Sequence, residues 1–231
     1  MTLDSPTFVL LPGAGGVAWY WHRVVPLLEE AKHDAIAVDL PGDDVRAGLS
    51  AYAEVVLEAV GPTQHVILVA QSLGGFTTPL VCERLQVHKL VFVNAMIPAP
   101  GETAGEWWDN TGWETARVAA AKRGGYSADF DLDTYFLHDV PPEIVARSEA
   151  RQRPEADVVF GEPCRFEAWP AVPIHVVGGR DDRFFPIDFQ RRVAQDRLEV
   201  GVDDIPGGHL VALSNPRGLA AQLLAYARTT G

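Results

Sequence analysis

The apolar runs of this chain are short, and most are hydrophobic at successive positions rather than at every second one. They are Thr7–Leu11 (TFVLL), Ala35–Leu40 (AIAVDL), His65–Ala70 (HVILVA), Lys89–Ala95 (KLVFVNA) and Pro173–Gly178 (PIHVVG). A strand with one wet face alternates, whereas a strand covered on both faces does not. Between these runs, apolar residues recur at helical spacing in Trp21–Ala31, Ala51–Val60 and Phe189–Asp196. Another helix opens at Ser72 and is expected to run to about Gln86, bent at Pro79. Leu198–Ile205 reads as a strand of mixed pattern. A last helix follows Ser214-Asn215-Pro216, which joins N-cap residues to a proline at the first helical position. Repeated strand–helix–strand spacing with doubly covered strands predicts an α/β fold, a doubly wound, mainly parallel sheet of about six strands.

The stretch from about 98 to 170 breaks this rhythm. It carries helical patterns at Trp113–Lys122 and Pro142–Arg151 and turn clusters at Gly124-Gly125 and Pro141-Pro142, without strand signals. It is too long for an ordinary loop and too short for a separate domain, so it reads as a small helical cap inserted into a single domain of 231 residues.

Composition narrows the function classes. Nineteen basic against 31 acidic side chains give a formal net charge of −12. Such a surface repels phosphate backbones and anionic headgroups, so neither nucleic acid nor membrane is an expected partner. The two cysteines, Cys82 and Cys164, are far apart in sequence, and a reducing cytoplasm is the expected compartment. The first residues show no basic region followed by an apolar one, so no signal peptide is expected.

The strongest local signal is Val69-Ala70-Gln71-Ser72-Leu73-Gly74-Gly75, placed directly between an apolar run and a helix. A serine on a tight strand-to-helix turn projects its hydroxyl above the sheet. Small neighbours let the two backbones approach, and Gly74, Gly75 and Ala70 supply them. Serine also serves as a plain helix cap, so its partners must decide. Acyl transfer needs two aimed N–H groups where negative charge develops. Leu73, following the serine at a helix start, offers one; Ala14, in the loop Pro12-Gly13-Ala14-Gly15-Gly16, offers the other. That loop lacks both phosphate-binding glycine patterns, G-x-x-x-x-G-K-[ST] and G-x-G-x-x-G.

Of seven histidines, His209 stands apart, in Pro206-Gly207-Gly208-His209 between the last strand and the last helix. That loop lies at the carboxyl end of the sheet, where such folds bind ligands. His22, His33, His65, His88, His138 and His175 fall where core or surface roles are expected. An orienting carboxylate belongs after the preceding strand, in Gly178-Gly179-Arg180-Asp181-Asp182. Spacing from Gly179 and to Pro186 favours Asp182 over Asp181, and the chain order Ser, Asp, His fits the G-x-S-x-G type of triad.

At these residues the chain resembles the α/β-hydrolase superfamily along nearly its whole length. Val9–Trp21 followed by Pro26-Leu27-Leu28, with Ala37-Val38-Asp39-Leu40, is similar to the plant methylesterase and hydroxynitrile lyase branch. Gly179–Pro186 resembles that superfamily's acid turn, in which the second aspartate is catalytic. The resemblance implies a parallel core, a helical cap, no metal and no cofactor. Pro12 stands where many members have histidine, and Leu210 where hydroxynitrile lyases carry a lysine. With so few residues before Thr7, the antiparallel hairpin that opens many larger members is not expected.

The resemblance implies hydrolysis of an ester, thioester, lactone or amide through an acyl-enzyme on Ser72, with an ester the first choice and a small-molecule acyl substrate the expected partner. Trp19 and Tyr20 from the first loop, with Trp107, Trp108, Trp113, Tyr135 and Phe136 from the insertion, are candidate walls of an apolar pocket. The rival readings are cofactor-free C–C cleavage or elimination, and a ligand-binding protein on a hydrolase scaffold. Monomer and homodimer both remain open.

Overall fold

The computed structural model describes residues 5–229. Six parallel strands form one sheet: β1 (Thr7–Leu11), β2 (Ala35–Ala37), β3 (Val66–Gln71), β4 (Val87–Val93), β5 (Ile174–Gly179) and β6 (Val202–Ile205). Their order across the sheet is β2-β1-β3-β4-β5-β6. Residues adjacent in a strand point to opposite faces, and both faces are dry. Val9, Leu11, Leu68, Ala70, Leu90 and Phe92 pack on one side, Phe8, Leu10, Ile67, Val69, Val91 and Val93 on the other. The first face is covered by the helices Leu49–Val60, Thr78–Cys82 and Ile187–Leu198, the second by Val25–Glu30 and Pro216–Arg228. Burial on both faces explains why these strands read as continuous apolar runs.

Strand order reverses around β1, whose neighbours are β2 and β3. The loops leaving β1 and β3 at their carboxyl ends therefore lie side by side, the crevice in which open parallel sheets hold ligands.

Several boundaries differ from the sequence reading. The expected helix Trp21–Ala31 is a short turn, Ala18–Trp21, followed by Val25–Glu30, because Pro26 suits only a helix start. For the same reason the helix expected from Ser72 to Gln86 divides into Ser72–Phe76 and Thr78–Cys82, with Pro79 in the first turn of the second piece and not at a bend. β2 stops at Ala37, where the chain turns away and Asp39 accepts the Ala18 N–H. Residues Val200 and Gly201 precede β6, since Glu199 ends the preceding helix in a left-handed conformation, φ 57°.

The stretch 98–170 holds the expected helices as Trp113–Gly124 and Pro142–Glu149, plus three that the sequence reading did not separate: Ala104–Asn110, Asp133–Leu137 and Val158–Gly161. The first of these opens on a capping box in which Thr103 and Glu106 satisfy each other's backbone N–H. The stretch is tied down at its ends. Glu102 pairs with Arg197 through two contacts of 2.9 Å, and Glu162 accepts the Leu49 N–H at the start of Leu49–Val60. Among the described residues no helix is long and apolar enough to cross a membrane.

Candidate active site

The turn after β3 brings Ser72 to φ 49°. A left-handed residue other than glycine costs about 1–2 kcal/mol and persists where packing over-determines it. Here the packing is backbone on backbone. A Cβ on Gly74 would lie 2.5 Å from Pro12 O, and one on Gly75 1.8 Å from Met96 O. The glycines after the serine thus let the turn sit against β1 and the end of β4. Gly13 plays the same part from the other loop, since a Cβ there would fall 2.8 Å from Ser72 Cβ.

Ser72 Oγ lies 3.1 Å from His209 Nε2, and His209 Nδ1 lies 2.9 Å from Asp182 Oδ2. Asp182 Oδ1 already accepts the N–H groups of Phe184 and Phe185, each at 2.8 Å, and Oδ2 also takes Gln190 Nε2 at 3.3 Å. A carboxylate so used accepts the ring proton at Nδ1, which leaves Nε2 free to accept from the Ser72 hydroxyl. Asp181 is exposed and points elsewhere, accepting the Gly207 N–H at 3.1 Å. Of the two aspartates weighed in the sequence, Asp182 is the one beside His209.

His209 is fully buried. Phe136, Phe184 and Phe185 stand nearly perpendicular to its ring, with centroids 4.9, 5.1 and 4.9 Å away. These three rings pack against the imidazole and restrict its rotation.

A residue that sequence reasoning passed over holds the two loops together. Asn94, just beyond β4, sits at φ 45°, a region asparagine tolerates better than most residues. Its Nδ2 donates to Gly208 O and His209 O at 3.0 Å, and its Oδ1 accepts the Gly179 N–H at 2.6 Å. The one signal it leaves in the sequence is a polar interruption at the end of an apolar run. Replacing Asn94 with alanine strands a buried N–H and removes both donors to the histidine loop. We expect a loss of about 2–4 kcal/mol in denaturant-induced unfolding; a loss below about 0.5 kcal/mol would contradict this role.

A cavity of about 460 Å³ opens over Ser72 and His209. Trp19, Tyr20 and Trp108 line it, as do Ala14 and Leu73. Trp113 and Tyr135 do not reach it. Trp113 packs behind Trp108 and donates its Nε1–H to Phe184 O at 2.8 Å. Tyr135 is fully buried, where its hydroxyl takes Arg117 Nη1 at 2.7 Å and donates to Ser127 O. Tyr135 is satisfied inside the insertion and builds its core, whereas the Trp113 bond fastens the insertion to the turn that carries Asp182. Trp107 is fully buried against Phe185 and Phe189 and donates to Ile97 O. Phe136, named from the sequence, lines the cavity, and Phe130, Phe160 and Phe184 complete its aromatic wall.

Burial pushes the Tyr20 phenol far above its ordinary range, with the Ala212 N–H pulling the other way and the charges of Asp182 and Asp139 adding to the rise. Tyr20 therefore stays neutral and presents an uncharged wall. His22 stacks on the cavity residue Trp19 at 4.0 Å. Burial lowers its affinity for a proton, and the nearby Arg147, Arg23 and Arg151 lower it further.

Known proteins share this architecture. Polyneuridine aldehyde esterase superposes with a TM-score of 0.76 at 20% identity, over 96% of this chain and 99% of its own. Methylesterase 3 of Arabidopsis thaliana is 27% identical over 250 residues, 95% of each chain. Norfluorocurarine synthase 1 of a Strychnos species is 36% identical over 103 residues, and that match spans only 39% of the relative's length. The model of the alpha/beta hydrolase family matches residues 8–222. With that match spanning the sheet from β1 to the last helix, the chain belongs to the alpha/beta hydrolase family.

Proposed function

We propose that the protein is a serine hydrolase that cleaves small carboxylic esters through an acyl-enzyme on Ser72. The observation that carries this reading is the hydrogen-bonded series Ser72 Oγ, His209 and Asp182 on the floor of a largely apolar cavity. Ser72 Oγ attacks the ester carbonyl carbon and passes its proton to His209 Nε2. The carbonyl electron pair moves onto oxygen, where the N–H groups of Leu73 and Ala14 receive the charge. The C–O bond then breaks as His209 returns the proton to the departing alcohol. Water, deprotonated by His209, repeats the attack and releases the acid, and Ser72 recovers its proton.

The cavity of about 460 Å³ suits a small ligand. The names of Methylesterase 3 and polyneuridine aldehyde esterase support an ester as substrate. The lyase reading is disfavoured by Leu210, which lines the cavity and carries no charge to handle a cyanide leaving group. The stretch 98–170 acts as a cap, contributing Trp108, Phe130, Phe136 and Phe160 to the cavity. Cys82 and Cys164 are both free, which suits a reducing cytoplasm.

The test is labelling with a fluorophosphonate together with turnover of a series of p-nitrophenyl esters. We expect the wild type to label and to hydrolyse the shorter esters, and Ser72→Ala to do neither. Labelling of Ser72→Ala at the wild-type rate, or a folded wild type inert in both assays, overturns the reading.

A further inference from the structure

The loop proposed to supply the second oxyanion donor is poorly suited to hold itself still. Three of its residues, Gly13, Gly15 and Gly16, are glycines, two of them left-handed at φ 84° and 66°. Glycine loses more conformational freedom on ordering than any other residue. Yet an oxyanion donor is effective only when held in aim before the reaction.

Within the loop, one contact fixes the peptide that carries the Ala14 N–H: its carbonyl, Gly13 O, accepts from Gly16 N at 3.0 Å. A second comes from the chain after β2, where the Leu40 N–H donates to Gly16 O at 2.8 Å, and the side-chain anchors arrive from the far end of the insertion. Glu155 Oε2 accepts the Gly15 N–H at 2.5 Å, which fixes the next peptide plane. Arg153 donates through Nε to Gly15 O at 3.1 Å, and through Nη2 to Gly16 O and Leu40 O at 3.0 Å each. The same guanidinium pairs with Asp39 at 3.1 Å. Glu155 Oε1 is in turn held by the Tyr52 hydroxyl. The approach is close enough that a Cβ on Gly15 would lie 2.7 Å from Arg153 O.

Neither side chain is placed there for solubility. Burial pushes the Glu155 carboxyl above its usual range, against the hydrogen bonds from Tyr52 and Gly15 and the charge of Arg153. A desolvated carboxylate aimed at one backbone N–H, beside a guanidinium spread over three carbonyls, is a clamp on a glycine loop.

We propose that Arg153 and Glu155 are positioning residues: they hold the Gly13–Gly16 loop so that Ala14 N–H points at the developing oxyanion. The inference rests on the ester-hydrolase reading. It makes the cap a part of the catalytic apparatus as well as a cover.

The test compares Glu155→Ala, Glu155→Gln, Arg153→Ala and Arg153→Lys in kcat, KM, fluorophosphonate labelling rate and melting temperature. Loss of one oxyanion donor outright costs ~10²–10³ in kcat, and a donor left untethered should cost part of that. We expect Glu155→Ala to lower kcat and labelling by ~10–100-fold with KM changed less than ~3-fold. Glu155→Gln should recover most of the loss, since its amide oxygen still accepts from Gly15 N–H. Arg153→Lys should recover little, because an ammonium cannot span three carbonyls as the guanidinium fork does.

A fall in melting temperature with kcat unchanged in all four variants overturns the proposal and reduces the clamp to scaffolding. If the alanine variants do not fold, the glutamine and lysine variants decide by the same kcat criterion. A wild type inert in both assays would end the hydrolase reading and this inference with it. An active wild type with fully active variants ends this inference alone.

Discussion

Replacing His209 with alanine lowers kcat for a p-nitrophenyl ester by about 10⁵–10⁶-fold, the scale seen when the base or nucleophile of a serine triad is removed. The size of the effect follows from the surroundings. A serine hydroxyl is a weak nucleophile at its free pKa and needs an adjacent base. At Ser72 that neighbour is His209 Nε2, 3.1 Å away. The other rings around the imidazole are Phe136, Phe184 and Phe185, which cannot take a proton. Because alanine also empties a packed box, the variant should melt earlier, and activity must be read on protein shown to be folded. A loss smaller than ~10²-fold in folded protein would mean that Ser72 is activated by something else.

Exchanging Asp182 for asparagine is expected to lower kcat by roughly 10⁴-fold, as the corresponding change does in other serine triads. The asparagine oxygen can still accept from Phe184 and Phe185, so the acid turn keeps its shape. Its amide NH₂ then faces Nδ1 and selects the opposite tautomer, with the proton on Nε2. In that tautomer His209 donates toward Ser72 and cannot accept. Asp181→Asn provides the contrast. Asp181 is exposed and accepts only the Gly207 N–H, which asparagine can replace, so kcat should stay within about threefold. Comparison of the two variants under saturating substrate reads the difference directly. If Asp181→Asn is the damaging change and Asp182→Asn the mild one, the acid has been assigned to the wrong residue.

The parts of the molecule legible in its sequence are those written in local pattern. Continuous apolarity marked the strands β1, β3, β4 and β5, because their side chains are buried alternately on both faces. Ser72, Asp182 and His209 could be picked out because each lies in a turn directly after a strand. Asn94 could not, since its partners lie 85, 114 and 115 residues away and nothing near it in the chain announces them. Nor does anything near Arg153 and Glu155 in the chain announce their partners, since their loop contacts span 137 to 140 residues. Trp113 and Tyr135 failed differently. Aromatic residues in a helical insertion must pack somewhere, and sequence spacing does not tell the insertion's own core from the wall of a cavity. The structure places Tyr135 in the insertion's core, bonded to Ser127 O, and Trp113 at the join between the insertion and Phe184.

The sheet order also divides the site along the chain. Ser72 and Ala14 belong to a block of strands β1 to β4 that follow one another closely, whereas Asp182 and His209 come with β5 and β6. β4 and β5 are neighbours in the sheet, yet the whole insertion lies between them in sequence. Closing such a loop costs entropy before any contact repays it, by about 0.6 kcal/mol for each doubling of length. Pairings across long separations are the slow ones in folding. The seam where the two blocks meet is where Asn94 reaches Gly179, Gly208 and His209. A newly made chain can therefore hold Ser72 in its turn while Asp182, His209 and the two residues that clamp the Gly13–Gly16 loop are still to come. The hydrogen-bonded series Ser72, His209 and Asp182 is complete only once the contacts across this seam are made.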